Sequence, residues 1–144
     1  MIVHGGLIAW PAQGRWKGIL ILGPSGVGKS DLALRALDDG FQLVADDRVA
    51  LFQSAGRLFG QAPATLRGLM EIRGLGVIPA PARRFAPIIL AVRCKKVTEA
   101  MDRLPEPLSE RLLGLEIPAI DLHPLENSAT AKIRRAIEYL GAGA

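Results

Sequence analysis

Residues 23–30 read Gly23, Pro24, Ser25, Gly26, Val27, Gly28, Lys29 and Ser30, which fits G-x-x-x-x-G-K-[ST]. That spacing makes a phosphate loop when an apolar strand leads into it and a helix leaves it. Both flanks are present. Ile19, Leu20, Ile21 and Leu22 form the apolar run, and residues 30–39 carry Leu32, Ala33, Ala36 and Leu37 at helical spacing before the stop at Gly40. Glycines let backbone N–H groups turn inward around a phosphate, and the new helix adds its positive end. Lys29 is then placed to reach β and γ oxygens, and the Ser30 hydroxyl to ligate Mg²⁺. A Gly-rich turn that binds nothing would not need all eight positions.

A second pair of chemical groups follows. Leu43, Val44 and Ala45 end in Asp46 and Asp47, two carboxylates at the carboxyl end of an apolar strand. In a parallel sheet that end also carries the phosphate loop, so ligands gather there. Phosphoryl transfer needs one acid to hold Mg²⁺ and can use another to orient or deprotonate the nucleophile. The alternative is an Asp-initiated turn that opens the next hairpin.

The elements that must position these groups are short. Residues 1–10 and 18–22 read as apolar strands joined by a turn at 11–17, and residues 41–45 as another strand. Strand, helix and strand then predict a βαβ unit with parallel strands. Residues 48–53 and 57–60 read as a hairpin turned at Ser54, Ala55 and Gly56. Residues 61–81, rich in Gly and Pro, read as a shaped loop. Strands are predicted at 87–93 and 117–122. A helix is predicted over 128–140, capped by Asn127, with an apolar stripe of Ile133, Ala136, Ile137 and Leu140. The expected class is α/β, a P-loop kinase-like domain with a mixed, mainly parallel central sheet flanked by helices.

Composition narrows the field. The 144 residues suit one domain, and 49% hydrophobic content with mean hydropathy +0.25 excludes a disordered chain. No run approaches the ~20 apolar residues of a membrane helix. Residues 1–10 hold no Lys or Arg, unlike a secretory signal, so the expectation is a cytoplasmic protein without membrane partners. The single Cys94 makes neither an internal disulfide nor a multi-cysteine metal site. Eighteen Lys and Arg against 14 Asp and Glu leave +4, with 13 of the 18 being Arg. The charges are scattered and only 5% of residues are aromatic, so no nucleic-acid partner is expected. Phosphorylated ligands or an acidic protein fit this Arg excess better.

Three segments together resemble the HPr kinase/phosphorylase catalytic domain. They are the phosphate loop, Leu-Val-Ala-Asp-Asp-Arg-Val from Leu43, and the run Met70, Glu71, Ile72, Arg73, Gly74, Leu75, Gly76, Val77 and Ile78, which is similar to that family's signature. The resemblance covers His4 to about Tyr139 and is strongest over residues 18–78. It implies an ATP- and Mg²⁺-dependent enzyme that phosphorylates a serine of an HPr-like phosphocarrier and, in reverse, uses inorganic phosphate to release pyrophosphate. Residues 23–30 would hold the nucleotide, and Ser30 with Glu71 the Mg²⁺, with Asp46 beside the metal. Asp47 would be the base for phosphorylation and the acid for reversal. Lys29, His4 and Arg103 would complete the catalytic set, with Arg111 an alternative to Arg103; Arg73 belongs to the signature.

The chain departs from the family in three places. The usual N-terminal domain is not expected, so residues 1–144 read as a single catalytic domain. The segment linked to reversal stands here as Asp121, Leu122, His123, Pro124, Leu125, Glu126 and Asn127, without arginines to hold phosphate. The family's final helix, which reaches a neighbouring subunit's substrate, has no counterpart before Ala144, and a homo-oligomer stays open. Such short forms resemble the proteobacterial versions, whose partner would be a regulatory carrier. Two rivals remain: a P-loop kinase of a small metabolite or nucleotide, and a nucleotide-sensing module without turnover. The first wants an Arg-rich lid, for which Arg83 and Arg84 are poor material. The second conflicts with the intact Lys29, Asp47 and Glu71.

Overall fold

Along strand β3, Ile19 and Ile21 face one side and Leu20 the other, and all three are fully buried. Burial on both faces makes this strand central. The computed structural model describes residues 1–140; the last four residues of the expected domain lie outside them. The strands are β1 (Ile2–His4), β2 (Gly6–Ala12), β3 (Arg15–Leu22), β4 (Gln42–Ala45), β5 (Arg48–Ser54), β6 (Arg57–Gln61), β7 (Leu69–Ile72), β8 (Gly76–Pro79), β9 (Ala86–Cys94), β10 (Leu108–Leu112) and β11 (Leu115–Leu122). Two α-helices, α1 (Lys29–Asp38) and α2 (Ala129–Tyr139), and a 3-10 turn at Ala64–Leu66 complete the set among the described residues.

Nine strands form one mixed sheet, and β7 with β8 forms a separate hairpin. The α/β class and the mixed sheet are as expected. Its mainly parallel character is not, because among the described strands only β3 with β9 and β9 with β11 pair in parallel. The reason is local. Gln13-Gly14, Ala55-Gly56 and Leu113-Gly114 all have positive φ at both residues, the two-residue turn that matches strand twist. These turns close the β2–β3, β5–β6 and β10–β11 hairpins, so sequence neighbours pair antiparallel first. Strands β3 and β4 do run in the same direction across α1, but β2 lies between them and pairs with both.

Other expectations also shift. The strand expected over residues 1–10 divides at Gly5. A Cβ there would sit 2.4 Å from the Ile21 carbonyl oxygen, and the chain switches partner from β5 to β3. The turn expected over 11–17 shrinks because Pro11 and Trp16 pair across the hairpin. Part of the loop expected over 61–81 folds as β7 and β8, and the polar edge strand β10 was not predicted at all. Helix α2 is capped at Ser128 without a side-chain bond, in place of Asn127, and Leu140 is half exposed instead of completing the stripe.

Both helices lie on the same sheet face. Leu32, Ala33 and Ala36 of α1 join Ile133 and Ile137 of α2 over Ile19, Ile21, Leu90 and Val92. The helices thus flank the sheet on one side, and among the described residues the opposite face carries none. Leu7, Leu20 and Val44 there meet Val49, Leu51, Leu58, Leu112 and Ile117, so the sheet curls over its own apolar side. Along β9, one edge is shared: β6 takes Ala86 and Pro87, and β11 takes Ala91 to Cys94. The end of β11 is tied down where Arg93 meets Asp121 at 2.9 Å and Glu110 at 3.6 Å.

Candidate active site

Strand β3 delivers the chain into the phosphate loop at the carboxyl end of the parallel strands. The loop lies directly on its neighbours. A Cβ on Gly23 would fall 2.9 Å from Cys94 Cβ, and one on Gly28 would fall 2.8 Å from Leu125 Cδ2. Gly28 also has φ +115°, which side chains rarely adopt, so glycine is required twice over as the residue before α1. The Lys29 ammonium donates to the carbonyl oxygens of Gly23 at 2.6 Å and Pro24 at 3.0 Å. It is thereby folded over the concavity that its loop encloses.

Asp46, the only charged residue buried among those described, joins two elements that are far apart in sequence. Its Oδ1 accepts from the Ser30 hydroxyl at 3.1 Å, and its Oδ2 accepts from the Glu71 backbone N–H at 2.9 Å. One carboxylate thus ties the phosphate loop to the β7–β8 hairpin. Met70 anchors the hairpin in the core, and the Ala80 N–H closes its base on the Gly68 carbonyl.

Asp47 is presented in the opposite way. Its side chain is 67% exposed, with Arg48 Nε 3.8 Å away. Its φ is +69°, and the Arg48 N–H donates across it to the Asp46 carbonyl at 2.8 Å. A two-residue hydrogen bond over a positive φ is the geometry of a γ-turn, a rare and strained form. Strain of this kind collects at functional positions. The Asp47 carbonyl in turn accepts from the Gly5 N–H at 3.0 Å, which braces the turn against the β1–β2 junction.

These groups face one cleft of about 730 Å³. Ser25, Gly26, Gly28, Lys29, Ser30, Asp46, Asp47, Glu71, Ile72, Arg73, Gly74 and Gly76 of the expected residues line it. Gly23 and Pro24 meet it through Lys29, while Val27 and Met70 are buried beneath. Leu75 is exposed at the hairpin turn. His4 is the last residue of β1, paired with Arg48 and exposed, one residue before the cleft wall at Gly5. Arg103 lies exposed in the irregular stretch between β9 and β10 and is not in the lining. Arg111 faces solvent on β10 with Glu116 at 3.7 Å. Neither arginine reaches the cleft; Arg73 does.

Sequence reasoning missed Gly5, Gly6, Asp31, Leu34 and Leu125 in the lining. The altered segment 121–127 was the available signal for Leu125, since it follows the strand beside β9. Cys94, under Gly23, is another matter. Burial pushes its thiol up to about 11, against a partial pull downward from Lys29. Its protonated form is therefore the folded one. Iodoacetamide at pH 8 should leave Cys94 unmodified in the folded protein and label it fully in urea. Stability should fall as pH rises from about 9 through about 11, where thiolate formation is tolerated only by the unfolded chain. Labelling of the folded protein at the unfolded rate would contradict this.

Mg²⁺ takes hard oxygen donors and keeps room for water and phosphate oxygens. The Ser30 hydroxyl already hydrogen-bonded to Asp46, with the Glu71 carboxylate in the same cleft, is a donor set of that kind.

The family model for the HPr Serine kinase C-terminal domain matches residues 2–137. HPr kinase/phosphorylase of Leptothrix cholodnii is 38% identical over 112 residues, 69% of this chain and 34% of that protein. The Clostridium tetani protein of the same name is 48% identical over 65 residues, 45% of this chain and 21% of its own. The chain thus spans about a third or less of these curated relatives. The solved HPr(Ser) kinase/phosphatase of Coxiella burnetii superposes with a TM-score of 0.80 at 26% identity, covering 96% of this chain and 88% of that one. With nearly its whole length matched and the loop, acid pair and hairpin gathered in one cleft, the chain belongs to the HPr serine kinase C-terminal domain family.

Proposed function

We propose that the protein transfers the γ-phosphoryl group of Mg-ATP to a serine of an HPr-like phosphocarrier in the cytoplasm. The observation that carries this reading is the bridge at Asp46, which holds the loop serine and the signature hairpin together beside an exposed Asp47. Ser30, Asp46 and Glu71 would hold Mg²⁺, which supplies charge neutralisation at the phosphate oxygens. Lys29 exchanges its loop carbonyls for phosphate oxygens and stabilises charge as it develops there. Asp47, open to solvent, accepts the proton of a hydroxyl brought by another protein, an access that a buried carboxylate lacks. Arg73, at the hairpin turn, is the cation available for the transferring group.

Reversal by inorganic phosphate is proposed to be weak. The loop after β11 presents Leu125 to the cleft, and the Glu126 carboxylate beside it is engaged by Lys132 at 2.5 Å. Neither is a group that holds phosphate. Incubation with Mg-ATP and an HPr-type carrier should add one phosphate to the carrier's intact mass. Excess inorganic phosphate should then remove it only slowly. An unchanged carrier mass would overturn the kinase reading, and rapid pyrophosphate release would overturn the weak reversal.

A further inference from the structure

The sheet order assigns two ends to the cleft. From the phosphate loop on β3, the path β2 then β4 leads to Asp46 and Asp47, while the path β9 then β11 leads to residues 123–127. The acidic end suits a metal and an acceptor hydroxyl. A triphosphate with its γ group there must leave the loop toward the other end, past the first turns of α1. Leu125 of the β11 loop lines the cleft on that route, beside the α1 face that carries Asp31 and Arg35.

Leu125 is 62% exposed, which alone is ordinary for a surface leucine. Its mounting is not ordinary. Arg35 donates to the Pro124 carbonyl and, at 3.4 Å, to the Glu126 carbonyl, gripping the chain on both sides of Leu125. Asp31 orients that guanidinium at 2.9 Å from its Nε. His123 Nε2 lies 2.9 Å from the Glu99 carbonyl, and Lys132 holds Glu126. The leucine side chain rests over Gly28, where any Cβ would collide with it. An apolar side chain has been fixed in advance at the mouth of a polar cleft. Such fixing lowers the ordering cost of binding.

We infer that Leu125, held by Arg35, is the shelf on which the base and sugar of a nucleoside triphosphate lie. This rests on the nucleotide reading of the loop and adds the part of the ligand that phosphate contacts ignore. Leu125 contacts the flat apolar face of the base, and Arg35 is a positioning residue that acts through it. The shelf contributes to ATP and nothing to pyrophosphate, which ends before reaching it.

Calorimetric titration of Mg-ATP and of magnesium pyrophosphate separates these contributions. Leu125→Ala should weaken ATP by about five- to tenfold through lost apolar contact. It should leave pyrophosphate within about twofold, since the phosphate loop is untouched. Leu125→Met, which keeps apolar volume, should retain ATP affinity. Arg35→Gln should act in the same direction and add little once Leu125 is alanine, because both work through one contact. The shelf is overturned if ATP and pyrophosphate weaken together, which would make Leu125 a prop of the loop, or if ATP binding does not change. Mg-ATP binding in the unaltered protein that Leu125→Ala leaves unchanged would sink the shelf alone. Binding of neither ligand would sink the nucleotide reading and the shelf with it.

Discussion

Asp47→Asn should slow carrier phosphorylation by about two to four orders of magnitude, the contribution of a positioned general base. Mg-ATP affinity should stay nearly unchanged, because the loop serine bonds Asp46, while the ion-pair partner of Asp47 is Arg48. Asparagine is the right replacement on physical grounds. The residue sits at φ +69°, a conformation that asparagine tolerates and most side chains resist. Alanine there would confound a lost base with a distorted turn. A single-turnover assay with saturating Mg-ATP isolates the transfer step, and a rate within threefold of the unaltered protein would remove Asp47 from the chemistry.

Lys29→Ala should act on a different quantity. Loss of a preorganised donor at the developing charge lowers transfer by at least about 10²–10³-fold. Nucleotide binding should weaken with it, so the rise in melting temperature that Mg-ATP gives the unaltered protein should vanish. The unliganded protein should keep its melting temperature within a few degrees, since among the described residues Lys29 bonds the carbonyls of Gly23 and Pro24 at the cleft surface. A preserved Mg-ATP shift in this variant would show that the loop lysine does not hold the phosphates.

The sequence made the local parts legible and the pairings less so. Residues 23–30 announce their loop because backbone conformation, flanking strand and helix are all written in adjacent positions. The hairpin turn at Ala55-Gly56 is legible for the same reason. The mainly parallel sheet was misread because a βαβ pattern does not reveal that β2 takes the edge beside β3. That the flanking helices share one face was not legible, because the alternation in β5 and β6 does not say which element their apolar side covers.

The site followed the same division. Asp46, Asp47 and Glu71 were found from their segments and do share the cleft. Arg103 and Arg111 were not brought there, since neither the irregular stretch before β10 nor a short polar edge strand constrains where an arginine points. Leu125 was missed because a leucine after a proline carries no chemical signal by itself. Its meaning comes from Arg35, which lies 90 residues earlier and grips the backbone on either side.

The double bond-holding at Asp46 has a thermodynamic corollary. Because the Ser30 hydroxyl and the Glu71 amide compete for the polarity of one buried carboxylate, a cation drawing on that group alters its hold on the hairpin. Linkage is reciprocal, so a partner whose contact with the hairpin alters that bond would change the affinity of the proposed cation site by the same factor. A docking protein that shifted the Arg73 turn would in this way tune the proposed Mg²⁺ site without ever meeting it.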